Sequence, residues 1–125
     1  MIALDSSSLI RFFAGESGSD VDIVSKALHD KVAVLPPVVL TELVSDPEIP
    51  QQVAELLELI PVIPLKEGYW KRAGRSRGKL LKEGLKAPLA DSLIAQSCLD
   101  HALPLVTADK DFRSFEKFCK LSVLP

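Results

Sequence analysis

Apolar and polar positions fall into blocks along this chain. Short apolar runs bounded by turn-formers predict buried strands, and apolar residues recurring every three or four positions predict amphipathic helices. Ile2-Ala3-Leu4 is the first such run, and it stops at Asp5. A helix follows over about 6–14, opened by Ser6-Ser7-Ser8, because serine is favoured at a helix N-cap. Beyond Gly15–Gly18, Ser19 starts a second helix with Val21, Ile23, Val24, Ala27 and Leu28 on one face. Val32–Leu35 is the second strand. Pro36-Pro37 closes it and opens the helix carrying residues 38–44, since proline is tolerated in a first turn. After the break at Asp46-Pro47-Glu48 comes a helix with Val53, Leu56, Leu57 and Ile60. Val62, Ile63 and Leu65, set among prolines, read as a third strand. Lys66–Gly84 is a polar, basic helix, with Gly74 and Gly78 as points of interruption. Pro88 opens the next helix, Leu89–His101. Leu105-Val106-Thr107 is the fourth strand, Asp111–Phe118 a short helix and Leu121–Leu124 the fifth strand. Strands alternating with helices throughout predict an α/β fold. The expected architecture is a single domain, residues 1–125, with a five-stranded parallel sheet flanked by helices.

Composition narrows the class. Hydrophobic residues make up 47% of the chain but aromatics only 6%, so Leu, Val, Ile and Ala must fill the core. No apolar run approaches the ~20 residues of a membrane helix. The N-terminus lacks the basic residues and layout of a signal peptide, which points to a cytoplasmic protein. Cys98 and Cys119 lie in apolar helical contexts and read as free buried thiols. The net charge is −2, so a nucleic-acid partner would have to be met by a local basic patch or by bound cations.

Four acids stand where acids are expensive. Asp5 is the only charged side chain between Met1 and Arg11. Glu42 is the only one between Lys31 and Asp46, and Asp91 the only one between Lys86 and Asp100. Asp109 follows the fourth strand directly. An ionised carboxylate withdrawn from water costs several kcal/mol unless compensated. Singly, Asp5 and Asp109 fit helix caps, Asp91 fits a first-turn acid favoured by the helix dipole, and Glu42 fits a surface helix face. As a set they have another explanation. Asp5 and Asp109 close parallel strands at their carboxyl ends, where α/β sheets form their ligand crevice. Acids gathered there would repel each other, and a divalent cation with oxygen ligands, Mg²⁺ or Mn²⁺, removes that repulsion.

Four blocks then carry a resemblance. Leu4-Asp5-Ser6-Ser7, Thr41-Glu42-Leu43, Ala90-Asp91-Ser92-Leu93-Ile94-Ala95 and Thr107-Ala108-Asp109-Lys110-Asp111-Phe112 occur in the order found in the PIN domain. The chain most resembles the toxin subunits of prokaryotic VapBC toxin–antitoxin pairs, over nearly its full length. The resemblance implies an Mg²⁺- or Mn²⁺-dependent endoribonuclease. It places Asp5, Glu42, Asp91 and Asp109 in the catalytic, metal-holding acidic site, with Thr107 as a nearby hydroxyl and Asp111 as a fifth acid. Ser7 stands where the family often has Asn, and its hydroxyl can still support the site. A cognate antitoxin and a homodimer are the partners implied. A PIN nuclease that processes RNA without a toxin role is the alternative.

The resemblance implies that metal-activated water attacks the phosphodiester, with no histidine base; His29 and His101 read as structural or solvated. Substrate contact is expected on the basic helix. Lys66, Lys71, Arg72, Arg75, Arg77, Lys79, Lys82 and Lys86 are eight of the fifteen basic residues, and Lys71, Arg72, Arg75, Arg77 and Lys79 form the expected RNA-binding set. Tyr69 and Trp70 beside them are candidates for stacking on a base. A receiver-type signalling domain shares the length and an acidic Mg²⁺ pocket. It needs an Asp at the end of its third strand, and Pro61–Leu65 has none.

Overall fold

The computed structural model describes every residue from Met1 to Pro125. Its elements are β1 (Ile2–Leu4), α1 (Ser6–Phe13), α2 (Ser19–His29), β2 (Ala33–Val34), α3 (Pro37–Val44), α4 (Gln51–Leu59), α5 (Tyr69–Lys82), α6 (Leu89–Asp100), β3 (Leu105–Val106), α7 (Arg113–Cys119) and β4 (Val123–Leu124). A single 3₁₀ turn, Lys110–Phe112, leads into α7. The strands form one parallel sheet in the order β2-β1-β3-β4. Ala3 and Leu4 of β1, Leu105 and Val106 of β3, and Leu35 just beyond β2 are fully shielded from solvent. Continuous apolar runs are what strands covered on both faces require.

The sheet has four strands, not five. Residues 61–65 contribute only an isolated parallel bridge, Leu35 with Val62, at the β2 edge. Two hydrogen bonds make it: Leu35 N–H donates to the Pro61 carbonyl and Ile63 N–H to the Leu35 carbonyl, each 2.9 Å. Proline stops the ladder on both sides. The preceding rung needs an N–H at residue 61 and the following one an N–H at residue 37, and both positions are proline. The apolar pattern there is that of a strand, but the donors are missing.

Helix α5 runs unbroken through Gly74 and Gly78, starting at Tyr69 rather than Lys66. Tyr69 is buried and its hydroxyl donates to the Leu93 carbonyl at 2.6 Å. Arg72 makes two hydrogen bonds to Asp100, 2.9 and 2.7 Å, and these hold that carboxyl below its ordinary range. Ser76 donates to Gln96 at 2.7 Å, which in turn donates to Asp100 at 2.9 Å. These bonds pin α5 along α6. The helix ends in a Schellman motif: Gly84 takes φ +75°, Gly84 N–H donates to Leu81 and Leu85 N–H to Leu80, both 3.0 Å. Both cysteines are free, and burial pushes the Cys98 thiol up to about 12. No helix is long and apolar enough to cross a membrane.

Strand β1 lies between β2, reached by the first crossover, and β3, reached by the second, while the third adds β4 outside β3. The chain therefore changes direction across the sheet at the β1–β3 boundary, and the carboxyl ends of strands at such a boundary are where α/β sheets form their ligand crevice. Asp5 N–H donates to the Val106 carbonyl at 2.9 Å, so Asp5 sits at that boundary. The apolar floor beneath it determines stability. Leu105→Ala should cost about 2–5 kcal/mol through reduced burial and the cavity left behind. A lower urea midpoint at unchanged m value is the expected reading.

Candidate active site

Asp5 is the best-held of the acids. It is buried, and two hydroxyls converge on the same oxygen: Ser7 Oγ donates to Oδ2 at 2.6 Å and Thr107 Oγ1 at 2.8 Å. Oδ1 takes no hydrogen bond from the protein and is left for another ligand. The same hydroxyls tie the two strand ends together. Ser7 Oγ accepts from Ala108 N–H at 3.1 Å, and Thr107 Oγ1 accepts from Asp109 N–H at 2.9 Å. Ser7 thus reaches both Asp5 and the β3 loop. Asp109 Oδ1 accepts from Asp111 N–H at 2.9 Å, which sets the turn that carries both acids.

Asp91 is placed from the other side, in the first turn of α6. A ligand oxygen from each of Asp91, Asp109 and Asp111 lies within 4.8 Å of the other two. Burial, then the charges of Asp109, Asp5, Asp111 and Glu42, push the Asp91 carboxyl up to about 7. The helix N-terminus favours a carboxylate at this position. Four like charges and partial burial outweigh it. Glu42 stands at the exposed rim, where Ser6 Oγ donates to its Oε1 at 3.2 Å. Burial and the charge of Asp5 raise its carboxyl above the usual value despite that bond. Asp91, Asp109 and Asp111 thus meet directly, and Asp5 and Glu42 lie close enough for their charges to act on Asp91.

The five expected RNA-binding residues divide. Lys71 and Arg75 are exposed. Arg72 is committed to Asp100, Arg77 donates to the Ala87 carbonyl at 2.8 Å, and Lys79 donates to the Phe118 carbonyl at 2.7 Å. Their head groups have internal partners that helix periodicity does not disclose. Trp70 is 66% exposed, whereas its neighbour Tyr69 is packed inside. His101 lies at the far end of α6, about 15 Å along the helix from Asp91, and its ring bonds the Pro64 carbonyl at 2.7 Å. His29 is exposed at the end of α2. Two pairings at the site lie outside the expected set. Ser6 bonds Glu42, and Lys86 Nζ lies 3.2 Å from Asp111 Oδ2. The Ser6-Ser7-Ser8 run is the one sign of the first; nothing local marks the second.

Residues 2–118 match the PIN domain family. The chain belongs to the PIN domain family. Three solved structures share the PIN fold over almost its whole length. VapBC2 from Rickettsia felis, bound to a DNA fragment from their promoter, has a chain 21% identical with a TM-score of 0.73, covering 99% of this chain and 98% of that one. VapBC-5 of Mycobacterium tuberculosis, a member of a toxin–antitoxin family, is 23% identical with a TM-score of 0.69, covering 98% and 96%. FitAcB from Neisseria gonorrhoeae is 20% identical with a TM-score of 0.72, covering 100% and 97%. At these identities the likeness establishes the fold. No curated protein sequence matches the chain. PIN domains are nucleases that use divalent metals, and the oxygen-only donor set of this crevice fits a hard cation of that kind.

The raised Asp91 carboxyl has a thermodynamic signature. Between 3.8 and about 7, native Asp91 keeps a proton that the unfolded chain has released. The native state then binds more protons, so this group's contribution to stability falls as pH rises through that window. In metal-free buffer, the stability of Asp91→Asn relative to the parent should therefore grow from about pH 4 to about pH 7 and level off above. Urea midpoints of the two proteins across that range measure it; a constant difference would show that Asp91 is not crowded.

Proposed function

We propose that this PIN domain is an Mg²⁺- or Mn²⁺-dependent endoribonuclease and the toxin subunit of a toxin–antitoxin pair. The observation that carries the nuclease reading is the gathering of Asp91, Asp109 and Asp111 within 4.8 Å, where burial and then the charges of four other carboxylates push the Asp91 carboxyl up to about 7. A folded chain left in that condition is less stable than it need be, and a divalent cation among the carboxylates removes the repulsion. Asp5, Glu42, Asp91 and Asp109 are the residues proposed to hold it, with Asp111 beside them as a further acid. When bound, such an ion supplies Lewis-acid activation of water and neutralises charge on the phosphodiester.

The chain's own residues do the rest. Ser7 and Thr107 hold Asp5 through one oxygen and leave the other without a hydrogen bond from the protein. Glu42, whose carboxyl is raised by burial and by the charge of Asp5, stands at the exposed side of the acids. Lys71 and Arg75 offer exposed charge to a phosphate backbone, and the exposed Trp70 ring offers a stacking face. Arg72, Arg77 and Lys79 add to the positive field of α5 while their head groups stay on internal partners. The toxin role and a cognate antitoxin draw on the full-length likeness to VapBC and FitAcB chains, and a homodimer is proposed only on the resemblance of the sequence to VapBC toxin subunits.

Asp5→Asn should leave the circular dichroism spectrum unchanged and abolish metal-dependent cleavage of RNA. The fall should exceed the roughly 10–100-fold that even outer-sphere partners of a metal cost when removed. A hundredfold excess of Mn²⁺ over its Kd should stabilise the parent by about 2.7 kcal/mol, seen as a rise in Tm, and should do much less for the variant. Full cleavage by Asp5→Asn would remove the assignment. Arg75→Glu should weaken binding of single-stranded RNA and flatten its salt dependence by about 0.7 in the log–log slope for each phosphate no longer neutralised. Affinity that does not move would exclude the patch.

A further inference from the structure

Of the molecule's ion pairs, one reaches into the acidic crevice. Lys86 Nζ lies 3.2 Å from Asp111 Oδ2, while every other pair joins groups elsewhere: Arg11 with Glu16 and Asp20, Lys26 with Asp30, Arg72 with Asp100, and Arg113 with Glu116. The pair is not an accident of a loose loop, because the backbone on both sides of Lys86 is fixed. On one side, the Schellman closure of α5 holds Leu85 N–H on the Leu80 carbonyl at 3.0 Å. On the other, Ala87 is buried and Arg77 Nε donates to its carbonyl at 2.8 Å. Lys86 is thus carried by a short anchored bridge between α5 and α6, just ahead of the first turn of α6 that holds Asp91. Its side chain remains 75% exposed, so the long stem can swing while its Cα stays put.

Resting on the nuclease reading above, we propose that Lys86 is an exchangeable cation of this site. Its ammonium neutralises Asp111 in the metal-free protein and turns to a backbone phosphate of the RNA once a divalent ion takes that carboxylate. The physical ground is competition for one oxygen set. Asp111 belongs to the trio whose ligand atoms lie within 4.8 Å of each other, so the ammonium and a divalent ion draw on the same negative charge. A compact ammonium on a flexible stem binds phosphate as a point charge and needs no fixed geometry. Displacement frees it at the edge of the crevice, where a phosphodiester would approach the acids. Lys86 would be a positioning residue for substrate, and Arg77 a residue that positions Lys86 through the Ala87 carbonyl.

The test compares the parent with Lys86→Gln and Lys86→Arg in two measurements that do not depend on turnover. Calorimetric titration with Mn²⁺ alone should show Lys86→Gln binding about two- to fivefold tighter than the parent, the range set by an exposed ion pair, with Lys86→Arg close to the parent. Binding of a cleavage-resistant single-stranded RNA at saturating Mn²⁺ should be weaker in Lys86→Gln, with a salt slope smaller by about 0.7. Lys86→Arg should restore it. Unchanged Mn²⁺ affinity, or an unchanged salt slope, in Lys86→Gln overturns the exchange. Failure of the parent to bind Mn²⁺ at all would remove the metal site itself, and this inference with it.

Discussion

Repulsion among like charges is the constraint on which this molecule's active crevice depends. Asp91, Asp109 and Asp111 are brought to one place with Asp5 and Glu42 nearby, and burial together with these charges pushes the Asp91 carboxyl up to about 7. Proteins avoid such crowding unless something uses it. The surrounding structure does not relieve it: the single basic group that reaches the acids is Lys86, three-quarters exposed and bound to Asp111 alone. An added cation would relieve that condition, and this is the physical ground of the proposed metal dependence.

The fold makes that crowding possible with very little sheet. The strands are two or three residues long, yet their order places the ends of β1 and β3 side by side where the crossovers part. Two small hydroxyls then do the joining. Ser7 and Thr107 both donate to Asp5, and both accept a backbone N–H from the loop after β3. A single network therefore fixes the buried carboxylate and the turn that presents Asp109. The two hydroxyls and Asp5 Oδ2 satisfy each other, and no fully buried side-chain polar atom is left without a partner.

Helix α5 shows how a basic stretch can serve structure first. Arg72 compensates the largely buried Asp100, Arg77 holds the backbone ahead of α6, and Lys79 reaches the Phe118 carbonyl near the end of α7. Arg72 and Arg77 thus brace α6, which carries Asp91, while Lys79 braces α7. The charges that remain at the surface, Lys71 and Arg75 among them, lie on a helix already locked against its neighbours.

The sequence by itself determined the alternation of helices and strands, the buried strands β1, β2 and β3, and the four acids without charged neighbours. Those features are written in local pattern, because burial selects apolar runs and an isolated acid stands out against them. Local pattern also overreached. Val62-Ile63 has a strand's composition, but prolines at 37 and 61 withhold the donors that a ladder needs, and pairing partners are not visible within one segment. It likewise treated Arg72, Arg77 and Lys79 as equal to Lys71 and Arg75, since a basic residue looks the same whether or not a carbonyl waits for it. Tertiary structure alone decided which cations are spoken for, that Ser6 meets Glu42, and that Lys86 meets Asp111 from a distant part of the chain. The reason is range: burial preferences act residue by residue, whereas a charge or a hydrogen bond acts over a few ångströms, and only the folded chain sets which groups come that close.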